Sequence, residues 1–258
     1  MGHHAKTTAL ITGAAQGLGL AIARELAAEG CTNLVLSDIN PAGAEVAKDL
    51  GAHFIQTDMG NAEEAMKMVD EAAAHMGSVT ALVNAAGNTN RGSILDTDPD
   101  RWDEIHNTNS KGPFFALQRF AQLAIKAGHE AAAVNILSIV VHGGTAFLAP
   151  YGASKAALLY TTKNAANTLA KHKIRVNGIN VGWMDTPGED ARQRQSHDRP
   201  EGWLKDAEAN TSFGRLVRPQ EVARLASFLL GPQSGVVTGS IIDFDQQVVG
   251  AYPDTDKL

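Results

Sequence analysis

The feature that most constrains this chain lies near its start. Thr7 to Ile11 reads as a short buried strand, and it passes at once into Thr12-Gly13-Ala14-Ala15-Gln16-Gly17-Leu18-Gly19. Apolar residues at helical spacing follow from Leu20, and Gly30 stops them. A strand that enters a glycine-rich turn and leaves as a helix brings free N–H groups and the positive end of a helix dipole to one point. Glycines there let the backbone approach a pyrophosphate. The order is G-x-x-x-G-x-G rather than G-x-G-x-x-G, a variant of the dinucleotide fingerprint, and tight backbone packing is the competing use of such glycines.

Strands and helices keep alternating beyond the turn. Asn33 to Ser37 is a second strand ending at Asp38, about 20 residues past the glycines, where a carboxylate can accept ribose hydroxyls and repel a 2′-phosphate. No arginine stands in the turn or beside Asp38 to attract that phosphate, so the pattern favours NAD over NADP. Capping a helix that starts near Pro41 is the other role open to Asp38. Pro41 to Leu50 is helical, His53 to Gln56 a strand running towards Asp58 and Met59, and Asn61 to Met76 an alanine-rich helix. Thr80 to Val83 is a strand running into Asn84-Ala85-Ala86-Gly87. Small residues there fit a flat ring passing close to the backbone, or a plain strand-to-loop turn. After a polar loop from Asn88, Asp98-Pro99 opens a helix. Its pattern runs through Ile105, Asn109 and Phe120 to Gly128, with a bend expected at Gly112-Pro113. Asn109 is either a satisfied buried amide or part of a site.

The apolar run from Ala131 to Leu137 delivers Ser138 to a strand end, and a glycine-rich turn leads to Pro150 and a helix carrying Tyr151 and Lys155. Residues four apart share a helix face, so phenol and ammonium project together. The ammonium is expected to lower the phenol's pKa towards the range of a general acid/base, and Ser138 could hold a substrate oxygen against it. Tyr-x-x-x-Lys alone also fits an aromatic and a solvated charge on one helix face.

The helix continues to about His172, Ile174 to Val181 is a sixth strand, and Gly182-Trp183-Met184-Asp185-Thr186-Pro187 follows. Residues 186–210 read as a charged helical insert carrying Trp203 that could close over a substrate. Pro219 to Leu230 is a helix, Thr238 to Phe244 a last strand, and Tyr252 to Leu258 a polar tail. With 258 residues and no linker or repeat, one domain over residues 1–258 is expected, an α/β fold with a parallel sheet covered on both faces. A net charge of -6 with scattered basic residues argues against nucleic acid. No apolar run reaches the length of a membrane span, and Met1 to Lys6 lacks a signal-peptide core. Cys31 is the only cysteine, so a reducing compartment, the cytoplasm by default, is expected. Gly2, His3 and His4 are set aside from function, and no metal site is expected.

Taken in order, these motifs resemble the short-chain dehydrogenase/reductase family, in its single-domain branch of about this length, over nearly the whole chain. Thr12-Gly-x-x-x-Gly17-x-Gly19, Asp58, Asn84-Ala-Ala-Gly87, the set Asn109, Ser138, Tyr151 and Lys155, and the C-terminal Gly214-Arg215 and Pro219-x-Glu221 carry the likeness. It implies a Rossmann-like doubly wound sheet of about seven parallel strands and hydride transfer between nicotinamide and a secondary alcohol or ketone. Tyr151 would be the acid/base, Ser138 the holder of the substrate oxygen, and Lys155 a ligand of the nicotinamide ribose. Asn109 would position a water that carries the proton to solvent. Gly13, Gln16, Gly17, Leu18, Gly19, Asp38, Asp58, Met59, Asn84, Ala85, Ala86, Gly87, Gly182 and Thr186 would line the cofactor. Two departures stand out: Val181-Gly182 where the family commonly has Pro-Gly, and Asp245-Gln246-Gln247 in place of Asp-Gly-Gly.

The family's geometry puts substrate contacts at Asn88, Val140, His142, Leu148 and Trp183, with Trp203 from the insert, beside Ser138 and Tyr151. Amide, imidazole and indole fit a small polyhydroxylated molecule, so a sugar, sugar acid or polyol is expected; His142 is equally read as a plain turn residue. The rivals are a 3-oxoacyl-thioester reductase and a catalytically silent NAD-binding regulator. A homotetramer built by pairing long helices is a further expectation of the resemblance.

Overall fold

The computed structural model describes residues 2–196 and 200–251; the middle of the expected insert (197–199) and the expected tail from Tyr252 lie outside them. Seven strands form one sheet: β1 (Thr8–Thr12), β2 (Asn33–Asp38), β3 (His53–Gln56), β4 (Ala81–Asn84), β5 (Ala131–Ser138), β6 (Ile174–Val181) and β7 (Ile241–Phe244). Every pairing is parallel, in the order β3-β2-β1-β4-β5-β6-β7. Strands β1, β4 and β5 are buried along their full length. That is why they read as unbroken apolar runs rather than alternating ones.

The pleat of β1 divides the core. Ala9 and Ile11 face one side, packing with Ile22 and Leu26 of α1 (Gly17–Ala28) and Val222 and Ala226 of α9 (Pro219–Leu230). Leu10 faces the other, with Met68 and Val69 of α3 (Ala62–Met76) and Phe120 of α5 (Gly112–Ala127). The remaining helices are α2 (Gly43–Asp49), α4 (Pro99–His106), α6 (Ala149–Leu169), α7 (Pro187–Ser196) and α8 (Trp203–Ala209). Strand order reverses between β1 and β4, which opens a crevice at the carboxyl ends of the strands.

Several elements differ from expectation, and three of the differences have a clear local cause. Helix α2 starts at Gly43 because Pro41 and Ala42 sit in a turn that Asn40 caps through the Ala42 N–H. Strand β7 starts only at Ile241, since Gly239 takes a left-handed φ of 71° just before it. The expected bend at Gly112-Pro113 lies one turn earlier, as a π-helical turn over Asn107–Lys111. Gly112 serves close approach instead: a Cβ there would collide with the Met59 carbonyl oxygen.

His4, set aside on sequence grounds, is fully buried. Its Nε2 lies 2.9 Å from Ser227 Oγ and its Nδ1 2.9 Å from Thr7 Oγ1, tying the N-terminal segment to α9. Burial lowers its pKa, against the opposing pull of Glu29. The unfolded chain then binds the proton first, so the stability His4 contributes is complete above about pH 6.5 and is lost as pH falls. His4→Ala is expected to lower unfolding free energy by about 2 kcal/mol at pH 7.5, with a smaller gap at pH 5.5. Urea unfolding at both pH values checks this; a gap that widens in acid would refute it.

Candidate active site

The crevice is a cleft of about 790 Å³, lined by the turn (Gly13, Gln16, Gly17, Leu18, Gly19), by Asp38, by Asp58 and Met59, by Ala85 to Asn88, and by Thr186 and Arg192 from across the opening. Thr12 fixes the turn to the end of β4: its hydroxyl accepts from the Ala85 and Ala86 N–H groups at 3.1 Å. Gly13, at φ 65°, lies so near that a Cβ would come 2.7 Å from Ala86. Helix α1 begins without a side-chain cap and without an acidic residue in its first turn, so its own first-turn amides are not taken up by a capping side chain. Free amides and dipole fit a diphosphate there.

Asp38 does not cap α2. Its carboxylate accepts from Ala15 N–H and Asn40 N–H, both at 2.9 Å, which aims it along the cleft with acceptor capacity remaining. Asp58 accepts from Gly60 N–H at 2.8 Å and frames the same end. Asn84 is turned into the sheet: its Nδ2 donates to Asn135 Oδ1 at 2.8 Å, so only Ala85, Ala86 and Gly87 of its motif face the cleft.

Strand β5 and helix α6 bring Ser138, Tyr151 and Lys155 together. The Ser138 hydroxyl accepts from Val140 N–H at 3.4 Å and lies close enough to the Tyr151 phenol to draw its pKa down. Lys155 is buried, donates to the Ile136 carbonyl at 2.8 Å, and stands 5.9 Å from the centre of the Tyr151 ring. A Cβ built on Gly87 would lie 3.7 Å from Lys155 Nζ and 3.6 Å from Asn109 Oδ1, so both reach the cleft wall. Asn109, fully buried on the π turn, clamps Asn88: Oδ1 accepts from its N–H at 2.7 Å and Nδ2 donates to its carbonyl at 2.8 Å. Nδ2 also donates to Ser154 Oγ at 3.0 Å. One Oδ1 lone pair is all the side chain has left for water. Single-turn π insertions often occur at functional sites, and here the turn delivers that clamp.

The expected lowering of the phenol's pKa is reversed. Burial raises it, while the Ser138 hydroxyl and then Arg91 pull it down and Glu189 pushes it up. Burial also lowers Lys155 to about 8. At neutral pH the resting site therefore holds a protonated phenol beside a largely charged amine, the form that can protonate a carbonyl oxygen.

The substrate candidates scatter. Leu148 is buried, pairing with Gly92 in a short bridge. Val140 is half-buried on the 3₁₀ turn after Ser138. His142 is engaged with Asp243 Oδ1 at 2.9 Å and Asn180 Nδ2 at 3.1 Å, more than a plain turn residue needs. Asn88 donates from its side chain to Glu104. Trp183 is 42% exposed and stacks on Trp203 at 5.8 Å, whereas Trp203 is buried and gives its N–H to Asp190. Trp203 thus anchors the insert rather than presenting an open face. A bridge between Met184 and Val217 closes the insert's base. Gly182 is wedged against Asp245.

Sequence reading missed Ser154, Arg91, Glu189 and Arg192. Ser154, three residues after Tyr151, carried the signal of a small polar side chain on the helix's buried face. The three charged residues sit in a loop and an insert without periodicity, and only the fold brings them to Tyr151 or to the cleft.

A family model described as enoyl-(acyl carrier protein) reductase matches residues 13–246. The chain is 34% identical over 240 residues to the 2-dehydro-3-deoxy-D-gluconate 5-dehydrogenase of Dickeya dadantii, covering 92% of this chain and 93% of that one. It is 34% identical over 251 residues to the cyclopentanol dehydrogenase of Comamonas testosteroni, covering 95% and 98%. Among solved structures, an actinorhodin polyketide ketoreductase variant with NADPH superposes with a TM-score of 0.89 at 28% identity, covering 97% of this chain and 100% of that one.

Proposed function

The chain belongs to the short-chain dehydrogenase/reductase family of nicotinamide-dependent oxidoreductases acting on CH–OH groups, and within it we propose an NAD-dependent dehydrogenase of a sugar, sugar acid or polyol. The observation that carries the reading is the meeting of Ser138, Tyr151 and Lys155 beside the Gly87 wall of the cleft.

A nicotinamide dinucleotide bound in the cleft supplies the hydride acceptor or donor. Its diphosphate would rest on the turn from Gly13 to Gly19, its adenosine near Asp38 and Asp58, and its nicotinamide end near Gly87, Gly182 and Thr186. In carbonyl reduction, Tyr151 gives its phenolic proton to the substrate oxygen while Ser138 donates a hydrogen bond to the same oxygen, and Lys155 stabilises the phenolate left behind. In alcohol oxidation the phenolate takes the hydroxyl proton. Asn109 keeps the Asn88 backbone, and with it the cleft wall, in place.

The sugar reading is supported by the hydrogen-bonding groups and exposed indole around the site, and by the sugar-acid substrate named for the Dickeya relative. The ketoreductase likeness favours a 3-oxoacyl thioester as the second reading. Against it, a net charge of -6 offers little attraction to an acidic carrier. A panel of polyols, aldoses, hydroxy acids and 3-oxoacyl thioesters, each with both cofactors, separates them: faster turnover of the thioester with NADPH would sink the sugar reading.

The preference for NAD rests on Asp38. Asp38→Ala is expected to lower the NADP-disfavouring ratio of kcat/KM values by about tenfold or more, because a like charge facing a 2′-phosphate costs several kcal/mol. An unchanged ratio, with both cofactors weakened in parallel, would leave Asp38 a loop staple only.

The assembly we propose is a homotetramer. An apolar groove of about 210 Å³ between α5 and α6, edged by the exposed Phe114 and Ile125, supports helix pairing with a second copy. Light scattering that finds a monomer at micromolar concentration would refute it.

A further inference from the structure

Arg91 brings a positive charge to the Tyr151 phenol. Its side chain is 21% exposed, with the guanidinium 5.1 Å above the centre of the Phe147 ring. Nε is buried without a hydrogen-bond partner, and Nη2 stops 3.9 Å from Glu189 Oε1, beyond hydrogen-bond reach. Other partly buried guanidiniums among the described residues are well supplied: Arg175 donates to carbonyls at the C-terminal end of α9, Arg215 grips Glu221 at 2.7 and 2.8 Å, and Arg192 holds Asn90 at 2.8 Å. A half-buried guanidinium with an unpartnered Nε and a single loose contact to a carboxylate keeps donors free for a bidentate anion.

Its place is fixed relative to the reacting groups. Gly92 N–H donates to the Phe147 carbonyl at 3.1 Å, and Ala149 N–H to the Gly92 carbonyl at 2.9 Å. The loop bearing Arg91 is thereby fastened to the first turn of α6, where Tyr151 sits, and the charge acts on the phenol directly. Glu189 faces the same space, but its Oε1 is held by Trp183 Nε1 at 2.8 Å and Gln193 Nε2 at 2.6 Å. Arg192 lies close enough to act on Arg91, so two cations face one carboxylate in a chain that is otherwise acidic.

We infer that the substrate is an acid whose carboxylate docks on the Arg91 guanidinium while its hydroxyl or keto carbon meets Ser138 and Tyr151. The inference rests on the dehydrogenase reading of the same site and narrows it to the acids within that class.

Calorimetric titration of the NAD complex with D-gluconate and with D-glucitol, which differ at the acid terminus, tests it. The protein should bind the acid at least about tenfold more tightly than the polyol, and Arg91→Gln should lose about 100-fold of the acid affinity and with it the discrimination. Arg91→Lys should recover part of the loss, since it restores charge without the fork. Acid affinity no greater than that of the polyol, or acid affinity in a folded Arg91→Gln within about threefold of the unsubstituted protein, overturns the inference. Turnover measured alongside reads the parent proposal separately: activity on a 3-oxoacyl thioester and on neither six-carbon probe refutes the sugar reading, while the titrations still decide the role of Arg91.

Discussion

Tyr151→Phe is expected to reduce turnover by about 10²- to 10⁴-fold, the range removed with a positioned general acid/base, while NAD affinity stays within about threefold. The substitution removes one hydroxyl and little volume, so the fold and the cleft should persist. What disappears is the phenol beside Ser138 to which the proposed mechanism assigns proton exchange with the substrate oxygen. The pH profile adds a second signature. Oxidation needs the phenolate, so its rate should climb with pH through a phenol pKa that burial raises and that Ser138 and Arg91 moderate. Reduction needs the protonated phenol and should decline over the same span. The Phe variant should show neither limb of that titration. Normal turnover in it would end the acid/base assignment.

The next largest effect is expected at Asn109. Asn109→Ala removes two hydrogen bonds to the Asn88 backbone and one to Ser154 from a fully buried place. Orphaned buried groups cost about 1–3 kcal/mol each, so a stability loss of about 3 kcal/mol is expected once partial relaxation is allowed. Turnover should fall by about 100-fold, because a small displacement of the wall beside Gly87 misaligns the reacting atoms. Denaturant unfolding and steady-state kinetics measure the two effects separately. Turnover preserved within twofold in a protein that has lost the stability would make Asn109 a structural amide alone.

The sequence was informative where one physical cause acts locally. Strand β6 and helix α9 have the bounds their patterns imply, because a doubly covered strand is apolar throughout and Pro219 sets a helix start. The turn from Thr12 to Gly19 was legible for the same reason. The π turn over Asn107–Lys111 was not, since it depends on α5 meeting the Met59 carbonyl at Gly112, a contact between distant segments. The inverted pKa of Tyr151 was equally out of reach: the i, i+4 spacing names a neighbouring ammonium, but how far the phenol is desolvated is decided by the loops around it. Arg91 lay in a segment that reads simply as polar, and it acquires meaning only beside Phe147 and Tyr151.

The bridge between Gly92 and Leu148 has a consequence for protein engineering. Because the two segments share main-chain hydrogen bonds, and Gly92 has no room for a side chain against Thr97, neither can be exchanged alone without stranding the other's amides. On the proposed reading of the site, selectivity is inherited as a paired cassette. Transplanting residues 89–98 together with 139–149 should carry a relative's substrate range across, whereas either half by itself should yield a poorly folded, unselective hybrid.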